Sequence, residues 1–316
     1  MGKADILAFA SAFDPQPAHL DEAAARESPL RGLAASGWHT CAVVAKALEA
    51  ALAKLPNYAG IACIDELRWM RPVRPGDELS GRVTLGPPAP CTCGSRSDRR
   101  QAWVEARNAL GETVLRWSCQ VLFGGRCLSM PSPPCAFRAA RPSKAEVRSA
   151  EHLIKYFEDV HRGDEITLGC YTFGPESVAA FERIAASPAK DAATAQSRGA
   201  LVHVERWNVV AGWMSLIVAY YERRAAELAA AGLPVPRLGP AVGLRWLRWL
   251  APVFQGEQIR FRGWAEHKVD AASAGKWGVL VAGSEGYNSA GELVLSFYPQ
   301  FLLERRGEKR VGGPRA

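Results

Sequence analysis

The sequence predicts an α+β protein made by internal duplication, each copy a long buried helix wrapped by an antiparallel sheet. Three observations carry this. Two blocks recur at one offset, each copy opens on a stretch of small and apolar residues, and each then continues in four short runs bounded by Gly and Pro. The first block, residues 67–77 (Leu-Arg-Trp-Met-Arg-Pro-Val-Arg-Pro-Gly-Asp), recurs over 247–257. The second, residues 105–115, recurs over 285–295. Trp69 and Trp249 stand 180 residues apart, as do Asn108 and Asn288. Two separate blocks in one register are hard to obtain by chance, so duplication is read first.

Within each copy the buried helix leads. Residues 34–52 and 209–228 carry apolar side chains around most of their circumference, the pattern of a helix enclosed on nearly all sides. Strand-like runs follow at 60–70, 77–85, 101–108 and 112–123, and again at 243–250, 257–267, 278–287 and 292–303. Between the last two runs of each copy stands Asn-x-x-Gly, a hairpin turn in which Gly supplies a backbone conformation other residues resist. A helix wrapped in this way is the hot-dog arrangement, and two in tandem are expected to form an intramolecular pseudo-dimer. Residues 124–145, with Pro131, Pro133, Pro134 and Pro142, read as a surface linker. The expected organisation is a first repeat over 1–123, this linker, a second repeat over 146–304 and a basic flexible tail over 305–316. The second copy opens with Tyr156-Phe157-Glu158-Asp159-Val160 and a strand over 165–173, ahead of a short helix near Phe181. Phe9 is the counterpart of Phe181. Only eight residues precede it, so the first copy is expected to lack an opening strand.

Composition narrows the class. The 316 residues are 48% hydrophobic, which supplies ample core for two domains. Lys and Arg number 39 against 32 Asp and Glu, a formal charge of +7. Such an excess suits a polyanion, whether nucleic acid or the phosphates of coenzyme A. Much of it is assigned here to the tail, where Arg305, Arg306, Lys309, Arg310 and Arg315 crowd together. Eight cysteines show no CxxC spacing, and Cys91-Thr-Cys93 lacks a second ligand pair, so no metal site is expected and the thiols are read as reduced. The apolar run at 6–13 is a poor signal peptide. The stretch 207–221 falls short of the ~20 residues a bilayer span needs. A cytoplasmic protein without nucleic-acid or membrane partners is the expectation. No phosphate loop or dinucleotide fingerprint is present, so no cofactor is expected beyond the substrate's own carrier.

Chemistry concentrates in one loop. Pro15 and Pro17 stiffen the chain between Asp14 and His19, so a carboxylate and an imidazole can be held in fixed directions and can serve as base and acid near neutral pH. Downstream, Ser36 is a natural N-cap for the buried helix. The Gly37 N–H then points out of the helix end, where partial positive charge suits an oxyanion. Asp14 also fits a plain turn ahead of Pro15. Asp21, before Glu22-Ala-Ala-Ala-Arg26, reads as an N-cap. Trp38 and His39 occupy the first helical turn and can pack there or border a pocket.

Asp-x4-His after an aromatic-rich short helix, followed by a Gly-containing start to the long helix, resembles the MaoC-like family of R-specific 2-enoyl-CoA hydratases. The run Pro72-Val73-Arg74-Pro75-Gly76-Asp77 is similar to that family's strand and turn. The likeness covers most of 5–123 and, more loosely, 156–303. It implies a lyase that adds water across the α,β double bond of an enoyl thioester. Asp14 would bind the water and take its proton, and His19 would share that water and protonate the α-carbon. The Gly37 amide would hold the thioester oxygen, with Ser36, Trp38 and His39 bordering the substrate. Ser36 is a departure, since the better-known hydratases carry His before the glycine.

The implied partner is an acyl-CoA or a carrier-bound equivalent, with coenzyme A only as substrate carrier. A homodimer of pseudo-dimers is the assembly this architecture permits. Arg71 and Arg74 are candidate contacts for coenzyme A phosphates. In the second copy, residues 181–196 contain no Asp with His five residues later, although Val210-Ala211-Gly212-Trp213 echoes Ala35-Ser36-Gly37-Trp38. One active site per chain is therefore expected. Two other readings stay open: a hot-dog thioesterase using Asp14 alone, and a non-catalytic acyl-thioester binding protein.

Overall fold

Every buried backbone N–H and C=O needs a partner, and here one sheet meets most of that demand. The computed structural model describes residues 1–90, 97–124, 148–149, 155–185, 202–270 and 275–306. The first repeat comprises α1 (Lys3–Phe13), α2 (Pro17–Leu20), α3 (Glu22–Glu27) and α4 (Gly37–Leu52). Its strands are β1 (Tyr58–Trp69), β2 (Ser80–Leu85), β3 (Ala89–Pro90), β4 (Ser97–Arg107) and β5 (Thr113–Gly124). After β6 (Arg148–Ser149) come β7 (Asp164–Thr172), α5 (Pro175–Ala185) and α6 (Arg206–Ala230). The strands β8 (Leu238–Trp249), β9 (Gln258–Val269), β10 (Trp277–Tyr287) and β11 (Leu293–Glu304) complete the second repeat.

The sheet has 11 strands in the order β2-β4-β5-β1-β8-β11-β10-β9-β7-β6, with β3 paired to β4. Its centre is the antiparallel pair β1–β8, the first long strand of each repeat, with Ile64 opposite Leu247 and Leu67 opposite Leu244. The expected α+β double hot-dog is thus the observed fold. Both hairpin turns form as read. Gly111 and Gly291 take φ +76° and +78°, and Asn108 and Asn288 accept the N–H of Glu112 and Glu292 on their side-chain oxygens.

Related hydrogen bonds fix the start of each long helix. Trp69 Nε1 donates to the Gly37 carbonyl at 3.0 Å, and Trp249 Nε1 donates to the Arg206 carbonyl at 2.8 Å. Just before the helices, Ala35 N–H bonds to Val73 O, and Val204 N–H bonds to Val253 O. The counterpart of Gly37 is therefore Arg206, which corrects the reading that matched Gly37 with Gly212. The longer α6 starts earlier than expected, because Glu205 caps it by accepting from the N–H groups of Trp207 and Asn208. Gly212 lies inside that helix, where a Cβ would meet the rings of Tyr171 and Phe173 at 2.8 and 2.9 Å.

The core interlocks the repeats. Trp38 packs on Trp69 of its own half (centroids 5.1 Å) and on Trp213 and Phe297 of the other (5.7 and 6.2 Å). Its counterpart Trp207 packs on Trp249 (5.4 Å) and reaches across to Trp117 (5.9 Å). Phe9 and Phe13 of α1 meet Phe181 of α5.

Several expectations are revised or lie out of reach. Arg305 and Arg306 are not part of a loose tail: Arg305 pairs with Asp270 and Glu158, and Arg306 with Asp159. Lys309, Arg310, Arg315 and nearly all of the linker lie outside the described residues. Strand β8 begins at Leu238, five residues ahead of the expected start, and runs through Gly239 and Pro240. Among the described residues the first repeat has no counterpart of β7, so β2 is an edge strand while β9 is covered. Cys41, Cys63, Cys119 and Cys170 are free thiols, and the other four cysteines lie outside the described residues. No helix among the described residues is long and apolar enough to cross a membrane.

Because each helix is completed by side chains of the other half, the repeats should unfold together. Urea unfolding of the full chain should be a single transition by far- and near-UV circular dichroism. Trp207→Ala should shift the whole of it, costing about 3–5 kcal/mol. Two separated transitions would show that the halves fold independently.

Candidate active site

The site is built where α1 ends. Asp14 caps that helix with its N–H on the Ala10 carbonyl, and its side chain is 2% exposed. A buried carboxylate must find donors. Gln16 Nε2 donates to Oδ1 at 2.8 Å, and the Ser36 hydroxyl donates to Oδ2 at 2.6 Å. Pro17 opens the short α2, which carries His19. His19 Nδ1 lies 2.9 Å from the Ala34 carbonyl. A carbonyl only accepts, so Nδ1 carries the proton. That turns Nε2 toward Asp14 Oδ2, 3.6 Å away.

The second repeat holds this loop from behind. Ser215 Oγ of α6 lies 3.1 Å from the Phe13 carbonyl, as well as from Ala211 in its own helix. Asp14 and His19 open onto a cleft of about 330 Å³, with Gly37, Trp38 and Thr40 on the near wall. Its far wall is Trp213, Met214, Ile217 and Tyr221, all from α6. A cleft of this size, apolar with a few convergent polar groups, is the usual form of a small-molecule site.

Ser36 does two jobs. It caps α4 by accepting the Trp38 N–H at 3.2 Å while its hydroxyl proton goes to Asp14. Gly37 is the first residue of α4, where an N–H has no acceptor within the helix. A Cβ there would strike the Trp69 indole at 2.7 Å. Asp21 is the N-cap it was expected to be, accepting from Ala24.

His39 does not border the cleft. It is fully buried on the opposite side of the helix turn, stacked on Phe9 at 4.7 Å and 4°. Arg74 is also reassigned. Its guanidinium binds the carbonyls of Leu30, Gly32 and Leu33, pinning the chain ahead of α4. Arg71 stays at the cleft and pairs loosely with Glu112 at 3.5 Å. Sequence reasoning missed Gln16, the Ala34 carbonyl and the whole α6 wall. Gln16 sits inside the Asp-x4-His spacing and could have been found there, whereas the wall left no local signal.

Residues 1–87 match the family model described as MaoC like domain. The match spans α1 to α4, β1 and β2 of the first repeat, and includes Asp14, His19 and Gly37. Over the whole chain the structure is similar to a MaoC domain protein from Chloroflexus aurantiacus J-10-fl, at 16% identity and a TM-score of 0.68, covering 97% of this chain and 93% of that one. It is also similar to a Mycobacterium tuberculosis protein with a double hotdog fold, at 16% identity and a TM-score of 0.63, covering 96% and 92%. A MaoC-like dehydratase from Rhodospirillum rubrum is 40% identical over 40% of this chain and 86% of its own, at a TM-score of 0.36. No curated protein matches the chain.

The second repeat does not reproduce this geometry. The segment aligned with Asp14 and His19 falls in 186–201, outside the described residues, and its sequence holds no Asp-x4-His. At the helix start Arg206 replaces Gly37. Its guanidinium crosses to the carbonyl of Ile61, the counterpart of the cleft-lining Ala241. One side chain therefore spans the place where the first repeat is open.

The position of His39 makes a pH prediction. Burial lowers its pKa from 6.5 to about 4, opposed by the Asp5 charge. The unfolded chain takes up this proton first, so stability is complete above about pH 6.5 and declines as pH falls to about 4, by ~3 kcal/mol. His39→Asn should remove that part of the acid sensitivity in urea titrations at several pH values. Parallel pH slopes for the two proteins would refute the assignment.

Proposed function

We propose that the chain is a hydro-lyase that adds water across, or removes it from, the α,β double bond of an enoyl thioester at Asp14 and His19. The observation that carries this is the 3.6 Å approach of His19 Nε2 to Asp14 Oδ2 at the open cleft. Hydration needs one proton acceptor and one proton donor within reach of the double bond. A carboxylate and an imidazolium sharing one transferable proton supply both.

In this reading the thioester enters with its carbonyl oxygen on the Gly37 N–H, which can approach closely because position 37 carries no side chain. Asp14, held by Gln16 and Ser36, takes a proton from water as the oxygen bonds to the β-carbon. The π electrons move to the thioester oxygen, and the enolate charge falls at the α4 N-terminus. The Nε2–H of His19 then delivers its proton to the α-carbon. Asp14 is left protonated and His19 neutral, and transfer between them restores the starting pair. Trp38 and the α6 wall take the acyl chain.

Crotonyl-CoA tests the reading directly. Its enoyl absorbance should fall with the chain present, without release of free thiol. Asp14→Asn and His19→Gln should each lower kcat by about 10²–10⁴. Thiol release instead would make the protein a thioesterase, and hydration unaffected by Asp14→Asn would remove the site assignment.

A further inference from the structure

A second concavity, of about 500 Å³, lies on the outer face of the sheet and adjoins the cleft, since Met70 lines both. Its floor is two rows of residues running across the strands. Arg82, Glu105, Arg116 and Arg68 stand in register on β2, β4, β5 and β1. Beside them run Thr84, Trp103, Ser118 and Glu66, continuing to Arg245 on β8. Two features are unfavourable for a surface with nothing on it. Arg116 and Arg68 are directly opposite each other, a like-charge pair that weakens a sheet. Trp103 is 51% exposed, leaving a large aromatic face in water.

The carboxylates do not neutralise this face. Glu66 is shared by Arg68 (2.7 Å) and Arg245 (3.3 Å), and Glu105 by Arg116 (3.0 Å) and Arg107 (3.2 Å). Arg82 has no ion pair among the described residues. Three lining arginines against two lining glutamates leave a net charge of +1, with Arg107 and Arg245 beside them on the glutamates. The Thr113 hydroxyl, with Arg116 and Arg107, holds the Glu105 carboxyl down to about 2, so the pattern of charge is stable across ordinary pH.

We infer that this groove holds the phosphorylated adenosine end of a coenzyme A thioester, with the arginines on phosphate and Trp103 on the base. The inference rests on the thioester reading above and extends it from the reacting end to the carrier. Guanidinium groups match phosphate oxygens in pairs, and a nucleobase stacks on an exposed indole. A concavity of this volume suits a small molecule better than a flat protein contact. Met70, shared by the two linings, places the groove next to the cleft, so one extended ligand would have to pass over it.

Isothermal titration with free coenzyme A and with ADP tests the groove apart from the chemistry. The chain should bind both, more weakly as salt rises. Arg82→Ala and Trp103→Ala should each weaken binding about tenfold. In kinetics, Arg82→Ala should raise KM for crotonyl-CoA relative to its N-acetylcysteamine analogue, which lacks phosphate and adenosine. If both variants bind coenzyme A like the parent chain, the groove is not its site. Sensitivity of a carrier-protein thioester alone to Arg82→Ala would overturn it too. The two readings fail separately. Weakened coenzyme A binding without any hydration leaves the groove standing, whereas hydration of crotonyl-CoA unaffected by Arg82→Ala leaves only the hydratase reading.

Discussion

The apolar stretches 38–45 of α4 and 207–214 of α6 must be enclosed by one sheet, and each half supplies part of the other's enclosure. Trp38 and Trp207 show how the demand is met: each packs on a tryptophan of its own half and crosses to an aromatic on the other, Phe297 or Trp117. Burial of such side chains stabilises by about 1.5–3 kcal/mol each, and here it is completed by contacts between the halves. The antiparallel pairing of β1 with β8 follows as the backbone's answer to the same requirement.

The site inherits its rigidity from this enclosure. The loop that carries Asp14 and His19 lies between α1 and α3, outside the sheet, where a loop would ordinarily be mobile. It is held instead by Phe13 against Phe181 and by Ser215 at the Phe13 carbonyl, both contacts from the second repeat. From the front, Ser36 fixes the carboxylate and the Ala34 carbonyl fixes the imidazole. Those two residues lead into α4, whose own position is set by Trp69 and Val73. The half that lacks the Asp–His pair is thus a structural part of the half that has it.

How much of this could be read from the sequence depends on distance along the chain. The 180-residue offset revealed the duplication because the strand and hairpin blocks are local and strictly spaced. Asp14 and His19 were legible because two prolines and five residues confine them. Helix register was not: Gly212-Trp213 looked like Gly37-Trp38, and only the indole bonds of Trp69 and Trp249 reveal that Arg206 is the true counterpart. His39 misled for a related reason. One helical residue turns the side chain by about 100°, so a position next to the cleft-lining Trp38 faces Phe9 instead. The α6 wall and the role of Arg74 depend on tertiary approach, which no local pattern encodes.

The unequal helix starts follow from what an amide can do. A free N–H at a helix end helps a developing oxyanion only if the ligand's oxygen can reach it. In the first repeat the Trp69 indole lies so close to Gly37 that any side chain would collide with it, so the approach stays clear. In the second repeat the matching indole of Trp249 still binds the helix carbonyl but lies beneath the Arg206 guanidinium, 5.8 Å away. The equivalent tryptophans thus leave the helix end uncovered in one half and support a cation across the opening in the other. A single difference at the first helical position, glycine against arginine, separates an open cleft from a bridged one on one shared scaffold.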